Sequence, residues 1–153
     1  MKRIPLLLPL LASLWVGAVA PPPRGPIPAN HVIIIDRSST VVSGAKATLS
    51  ISPLRRTGNV YAGEYQMKVS PYFFKNEKGR LAIVVSDESL GKVTNGLAAE
   101  ITGTATSSGK GGQTRRIDAT AVPADNDRGA LKLWFTSGNN KMVFNTSYRF
   151  LEP

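Results

Sequence analysis

One stretch of the sequence comes close to a phosphate-binding loop: GTATSSGKGGQTRR, residues 103–116. Such loops read G-x-x-x-x-G-K-[ST] between a strand and a helix, so that the lysine reaches the phosphates and the hydroxyl binds magnesium. Here the spacing from Gly103 to Gly109 is one residue too long, and Lys110 is followed by Gly111. The residues that follow alternate with the period of a strand. The stretch therefore predicts a flexible hairpin loop rather than a nucleotide site.

Three further patterns could carry chemistry. Ser89 and Lys92 match the S-x-x-K pair of penicillin-binding enzymes, but the chain has no K-T-G element. The segment DNDRG, residues 125–129, follows the front of a calcium loop without its distal glutamate. Its composition favours a tight turn, with a weak surface calcium site as the alternative. The single histidine, His31, has no local partner for a triad or a zinc site, so we interpret it as structural. We expect no catalytic, cofactor-binding or metal-binding residues and no enzymatic activity.

Basic residues with neighbouring aromatic residues form the candidate binding surface. Lys and Arg number 19 against 10 Asp and Glu, a formal net charge of +9, and such a surface attracts polyanions. The segment 70–80, SPYFFKNEKGR, interleaves rings with cations. Because Tyr72, Phe73 and Phe74 are consecutive, we expect at least one of these rings to face the core. The possible anion-binding surface comprises Lys75, Lys78, Arg80, Lys110, Arg115 and Arg116.

The N-terminal segment is typical of an export signal. Lys2 and Arg3 precede an apolar run at residues 6–16, and small residues follow it. This run is shorter than the about 20 apolar residues that a bilayer-spanning helix requires. We expect cleavage after Ala18 or after Ala20, with an uncleaved anchor as the alternative. The protein is therefore predicted to be periplasmic or extracellular, or tethered to the membrane by this segment.

The remaining chain divides into a linker and one domain. We assign residues 1–20 to the signal peptide or anchor, 21–30 to a proline-rich linker and 31–153 to a single β domain. The linker contains five prolines in ten residues, which favours an extended strut. The chain has no cysteine. This excludes thiol nucleophiles, thiolate metal sites and disulfides, so the core alone must stabilise the domain.

The body of the chain alternates apolar and polar residues in short segments, which is typical of antiparallel sheets with one solvated face. Tyr65, Met67 and Val69 should face one way in such a strand, and NEKG, residues 76–79, has the composition of a turn. At residues 86–96 an N-cap serine, an acidic first turn and a closing Asn-Gly predict a short helix that plugs one end of the sheet structure. The fold class is mainly β, either an antiparallel sandwich or a small closed barrel of about seven to eight strands with one short helix.

The segment VSPYFFKNEKGRLAIVVSDESL, residues 69–90, resembles part of an uncharacterised family of exported bacterial β-domain proteins. The resemblance extends over residues 65–150, implies export and a shared fold, and assigns no site. We therefore predict an exported, non-enzymatic β-domain protein of the cell envelope that acts as a binding or structural module. The alternative is an OB-like barrel that binds a polyanion or glycan through the basic surface. The expected partner is an acidic envelope polymer or another envelope protein; nucleic acid is disfavoured, and membrane contact is expected only through an uncleaved N-terminal segment.

Overall fold

The computed structural model describes residues 31–109 and 111–152. The predictions for the signal, the linker and Lys110 lie outside the described residues. The described chain forms ten strands, one α-helix and one short 3-10 helix. In chain order they are β1 (Val32–Ile35), β2 (Ser38–Val42), β3 (Ala45–Ile51), β4 (Leu54–Thr57), β5 (Val60–Ser70), the 3-10 segment (Phe73–Lys75), β6 (Glu77–Val84), α1 (Asp87–Thr94), β7 (Ala99–Ser107), β8 (Thr114–Pro123), β9 (Arg128–Ser137) and β10 (Asn140–Leu151).

The strands form a closed antiparallel barrel. Ten strands fill eight positions around it, because β1 and β2 occupy one position in succession and β3 and β4 occupy the next, beside β5. From β5 to β10 each strand pairs with the one that follows it in the chain. The ladder between β1 and β10, from Val32 opposite Leu151 to Ile35 opposite Tyr148, closes the ring. The prediction of a mainly β fold, either a sandwich or a small closed barrel with one short helix, is confirmed, and of these two architectures the protein has the barrel.

The core lies inside the barrel and is built by the alternation of each strand. In β5, Tyr65, Met67 and Val69 are buried on one face, as the sequence pattern predicted. Two aromatic rings fill the middle: Phe135 packs edge-on against Phe144, with 5.7 Å between ring centroids. Both rings are fully buried, so each stabilises the fold by about 3 kcal/mol or more relative to alanine.

Helix α1 covers one end of the barrel. The hydroxyl of Ser86 accepts a hydrogen bond from the backbone N–H of Ser89 at 3.1 Å and caps the helix N-terminus. Leu90 and Val93, three residues apart, are the buried side chains of the helix and point into the barrel. The predicted short helix that plugs the sheet structure is confirmed, and we call this the plugged end.

The predicted turn at residues 76–79 is wrong, because Glu77 begins β6 and the chain reverses before it, around the 3-10 segment. Glycine is required at position 79 because of a neighbouring strand, not because of a turn. A Cβ atom there would lie 2.0 Å from the backbone oxygen of Thr106 on β7. The glycine therefore permits a close approach between strands within the sheet, as at sharp bends of barrels.

The same close approach makes a substitution at Gly103 a test of the barrel geometry. A Cβ atom on Gly103 would lie 2.3 Å from the backbone oxygen of Ala82, whereas one on Gly91 in α1 has no atom within 4 Å. We expect Gly103→Ala to lower the free energy of unfolding by about 1–3 kcal/mol through overpacking. Gly91→Ala should raise it by about 0.5–1 kcal/mol because alanine favours helix. Urea denaturation of both variants measures this, and a change of the same sign in both would contradict the geometry.

Candidate functional site

The two ends of the barrel differ in how far they are filled. Beneath α1 lies an apolar cavity of about 40 Å³, lined by side chains such as Tyr61, Val85 and Leu90. Ligand sites in proteins are typically about 300–1,000 Å³, so this cavity is too small for a ligand. The plugged end is therefore part of the core.

The opposite end of the barrel holds a cavity of about 480 Å³, which we call the cup. The β2–β3 turn, the 3-10 segment and the start of β10 surround its mouth. Its volume lies within the usual range for small-molecule sites. We call this end of the barrel the open end.

The cup has an apolar side and a polar side. Ala47, Met67, Val69 and Met142 line it from β3, β5 and β10, which lie in one half of the ring together with β2. Glu77, Ser107 and Arg115 line it from β6, β7 and β8, which follow one another in the other half. The cup can therefore contact both the apolar and the polar parts of one molecule.

An ion pair lies on the polar side. Arg115 donates from Nε to Oε1 of Glu77 at 3.2 Å and from Nη2 to Oε2 at 2.6 Å, a bidentate arrangement. The two side chains are 15% and 14% exposed. Tyr65 also donates from its hydroxyl to Glu77 Oε1. The Nη1 atom of Arg115 makes no hydrogen bond to the described part of the chain, so its two donors remain available to a ligand.

This network fixes the protonation of its members. Burial by itself would raise the pKa of Glu77, but the hydrogen bonds from Arg115 and Tyr65 outweigh it and hold that pKa below its usual value. Burial, and next the hydrogen bond to Glu77, raise the pKa of Tyr65 well above its usual value. At neutral pH Glu77 is therefore an ionised acceptor and Tyr65 a neutral donor.

Five of the six residues predicted as an anion-binding surface lie in the described chain, where they divide between the cup and the outer wall. Arg115 faces inward, is paired with Glu77 and is no surface cation, whereas Lys75 lies in the 3-10 segment at the mouth. Lys78 and Arg80 lie on the exposed face of β6. Arg116 lies on the exposed face of β8, where Asp118 pairs with it at 2.9 Å. Lys110 lies outside the described residues.

Sequence reasoning missed most of this site. The alternation of β5 places Tyr65 only on the face that it shares with Met67 and Val69. Nothing local connects Glu77 with Arg115, which lies 38 positions further along the chain. The prediction that one ring of Tyr72, Phe73 and Phe74 faces the core is wrong. All three are exposed, because the 3-10 segment lies beyond the end of the barrel.

The charges of the described chain are unevenly distributed between the two ends. The connections at the open end with their flanking strand residues, 41–46, 68–78, 106–109, 111–116 and 136–142, carry seven basic residues and one acid. The basic residues are Lys46, Lys68, Lys75, Lys78, Arg115, Arg116 and Lys141, and the acid is Glu77. Lys46, Lys68 and Lys141 were not identified from sequence, because they are scattered along the chain.

The remaining motifs are structural. His31 is buried, and its Nε2 lies 2.6 Å from the hydroxyl oxygen of Tyr61. The carboxylate of Asp125 accepts hydrogen bonds from the backbone N–H groups of Asp127 and Arg128, so the tight turn predicted there is confirmed. Within residues 31–109 and 111–152 no cluster of three or more His, Cys, Asp or Glu residues could hold a metal ion. None of the helices in these residues is long and apolar enough to cross a membrane.

Replacing Glu77 tests the polar network. We expect Glu77→Gln to lower the free energy of unfolding by about 2–4 kcal/mol at pH 7, because Arg115 loses its counter-charge in a largely buried position. The folded-state pKa of Glu77 lies below its unfolded value of about 4.3, so its stabilisation is present above pH 4.3. This stabilisation is lost as the pH falls through the folded value. The gap between wild type and variant should therefore narrow in acid.

Urea denaturation between neutral and acid pH measures this gap. Glu100→Gln is the matched control, since Glu100 is exposed on β7 and its substitution should have little effect at any pH. A gap for Glu77→Gln that stayed constant with pH would mean that the carboxylate is not ionised in the network.

Comparison with known proteins gives no further assignment, since no family model, curated protein or solved structure matches the chain. The resemblance to exported bacterial β-domain proteins stays a prediction, and the function must be argued from the geometry of the cup.

Proposed function

We propose that this domain is a non-enzymatic binding module of the cell envelope that holds a small ligand in the cup. The observation that carries the proposal is the cup itself, about 480 Å³ at one end of a barrel whose plugged end holds a cavity of about 40 Å³. Eight-stranded barrels are just wide enough to be filled by side chains or to hold one small ligand. That comparison is a fold-level analogy, so the lining must supply the specificity.

The lining favours an amphiphile with an anionic or carbonyl head. Met67 and Met142 offer flexible, polarizable side chains that adapt to irregular apolar shapes. On the facing side, Arg115 presents the unused donors of Nη1, and Lys75 adds a positive charge at the mouth. An apolar body would therefore lie against the methionines, with its acceptor oxygens toward Arg115.

The state of Glu77 supports a binding role rather than catalysis. General acid–base catalysis needs a group that exchanges its proton near the working pH. Glu77 instead stays ionised at neutral pH and accepts hydrogen bonds from both Arg115 and Tyr65. The network orients Arg115 and does not supply a proton.

Binding of a polyanion is the second candidate, and the seven basic residues at the open end favour it. The OB-like topology expected for that alternative is wrong. OB folds are five-stranded Greek-key barrels, whereas this barrel has eight positions and neighbouring strands follow one another in the chain. What remains of the alternative is the basic surface alone.

Filling the cup tests the proposed function. The probe is 1-anilinonaphthalene-8-sulfonate, an aromatic body with one sulfonate. We expect saturable binding of one molecule by wild type and an about tenfold weaker affinity in Met142→Trp, because the indole occupies the cup. Val122→Trp, on the exposed face of β8, is the control and should bind as wild type does.

Fluorescence titration measures the affinities, and thermal unfolding verifies that both variants are folded. The uncharged analogue N-phenyl-1-naphthylamine should bind more weakly than the sulfonate if Arg115 and Lys75 receive the anion. Equal affinity in Met142→Trp and Val122→Trp would refute binding in the cup.

The export component of the proposal rests on the N-terminal sequence. When the full chain is produced in a bacterium, we expect the exported protein to begin at residue 19 or 21, after cleavage behind Ala18 or Ala20. Intact-mass spectrometry of the periplasmic fraction measures this. A membrane-bound chain that retains all 153 residues would favour the anchor instead.

A further inference from the structure

Aromatic side chains project from the open end into solvent. Phe73 is 70% exposed and Phe74 82% exposed, in the segment that connects β5 with β6 beyond the end of the barrel. Tyr72 before them is 43% exposed, and no residue of the 3-10 segment is buried. Large exposed apolar side chains that lie together mark interaction sites, because their contact with water is unfavourable and burial against a partner removes it.

Lysines without acidic partners lie at the same end of the barrel as these rings. Lys46 lies on the exposed face of β3, and Lys68 lies on the exposed face of β5, the strand that pairs with β3. Lys46 is opposite Ser70, which follows Lys68 by two residues. Together with Lys75, Lys78 and Lys141, they form no ion pair with the residues that the structure describes. The acid at this end, Glu77, is already neutralised by Arg115.

The plugged end has the opposite character. Acidic and basic residues are close to balance in its connections and flanking residues, and many of them pair with one another. Asp87 pairs with Arg56, Glu88 with Lys92, and Asp125 with Arg128. Exposed apolar tips and unpaired positive charge therefore coincide at the open end.

We propose that the open end docks on an anionic lipid surface, with Phe73 and Phe74 entering the interface and the lysines contacting the headgroups. Amphipathic surfaces bind membranes through these two contributions, apolar burial and attraction to anionic lipid. This contact differs from the one expected through the N-terminal segment. It is a separate contact from the one with the ligand in the cup, although Phe74 and Lys75 also line the cup and the mouth of the cup would face the membrane.

The observations favour a membrane over a soluble polyanion. A polyanion neutralises lysines but offers no apolar phase for Phe73 and Phe74. The bases of single-stranded nucleic acid do offer flat faces, but successive bases stack on aromatic side chains whose rings can lie parallel to them. The rings of Tyr72 and Phe74 instead lie edge to face, at an interplanar angle of 67°.

Vesicle co-sedimentation of the exported protein tests the proposal. Wild type and variants carry the same N-terminus, so any contribution from it is common to all. We expect binding to vesicles of phosphatidylcholine with phosphatidylglycerol, much weaker binding to phosphatidylcholine alone, and a fall with added salt. The cup variant Met142→Trp should bind vesicles as wild type does, which separates this test from that of the cup.

Two matched pairs of variants locate the contact. Phe73→Ala should lower the partition coefficient about tenfold, whereas Leu97→Ala, which is 59% exposed at the plugged end, should not change it. The double variant Lys46→Gln/Lys68→Gln should lower it about 25-fold, at about fivefold per lysine. Arg37→Gln/Arg55→Gln removes the same charge from exposed positions in other parts of the wall and should change it less than about twofold.

Three outcomes would overturn the proposal. The first is no binding, or equal binding to neutral and anionic vesicles. The second is binding that depends on the lysines but responds equally to Phe73→Ala and Leu97→Ala; together with heparin binding, it would identify a soluble polyanion as the partner. The third is a concentration-dependent dimer in sedimentation equilibrium that Phe73→Ala dissociates, which would identify a second copy as the occupant.

Discussion

Closure of the sheet by the β1–β10 ladder is the constraint on which the rest of the molecule depends. Once the ring is closed, every second residue of each strand enters one shared interior of limited width. Aromatic and branched side chains fill the middle of that interior, and Leu90 and Val93 of α1 fill one end. The cup is the place where this filling stops, so its position follows from which strands carry small or polar residues near their ends.

The ion pair of Glu77 and Arg115 borders the cup on the side away from the methionines. A buried ion pair adds little net stability, because desolvation of both charges offsets their attraction. Apolar side chains of similar size could take these two positions and extend the core toward the mouth. The pair instead keeps a polar surface of fixed geometry inside the barrel. This is the arrangement that a binding site needs and a purely structural core does not.

Much of the fold could be predicted, because its signals are local. Period-two alternation identified the inward face of β5, and capping chemistry at Ser86 identified α1. The feature that distinguishes a sandwich from a barrel is not local. Both architectures show the same alternation, and only the pairing of β1 with β10, more than 100 residues apart, distinguishes them. The prediction of the site failed for the same reason, since Tyr65, Glu77 and Arg115 come from separate strands and meet only in the interior of the barrel. The turn-like composition of residues 76–79 led to a wrong prediction, because Gly79 permits the close approach of two strands and does not reverse the chain.

The uneven charge distribution has a consequence for how the protein approaches any charged surface. With an excess of basic residues at one end of the barrel and a near balance of acidic and basic residues at the other, the domain has an electric dipole roughly along the barrel axis. In the field of an anionic surface this dipole experiences a torque. Within about 8–10 Å of the surface, the screening length at physiological ionic strength, the barrel turns its mouth toward the negative charge before any atoms touch. Orientation thus precedes recognition, and productive encounters are more frequent than random collision would allow.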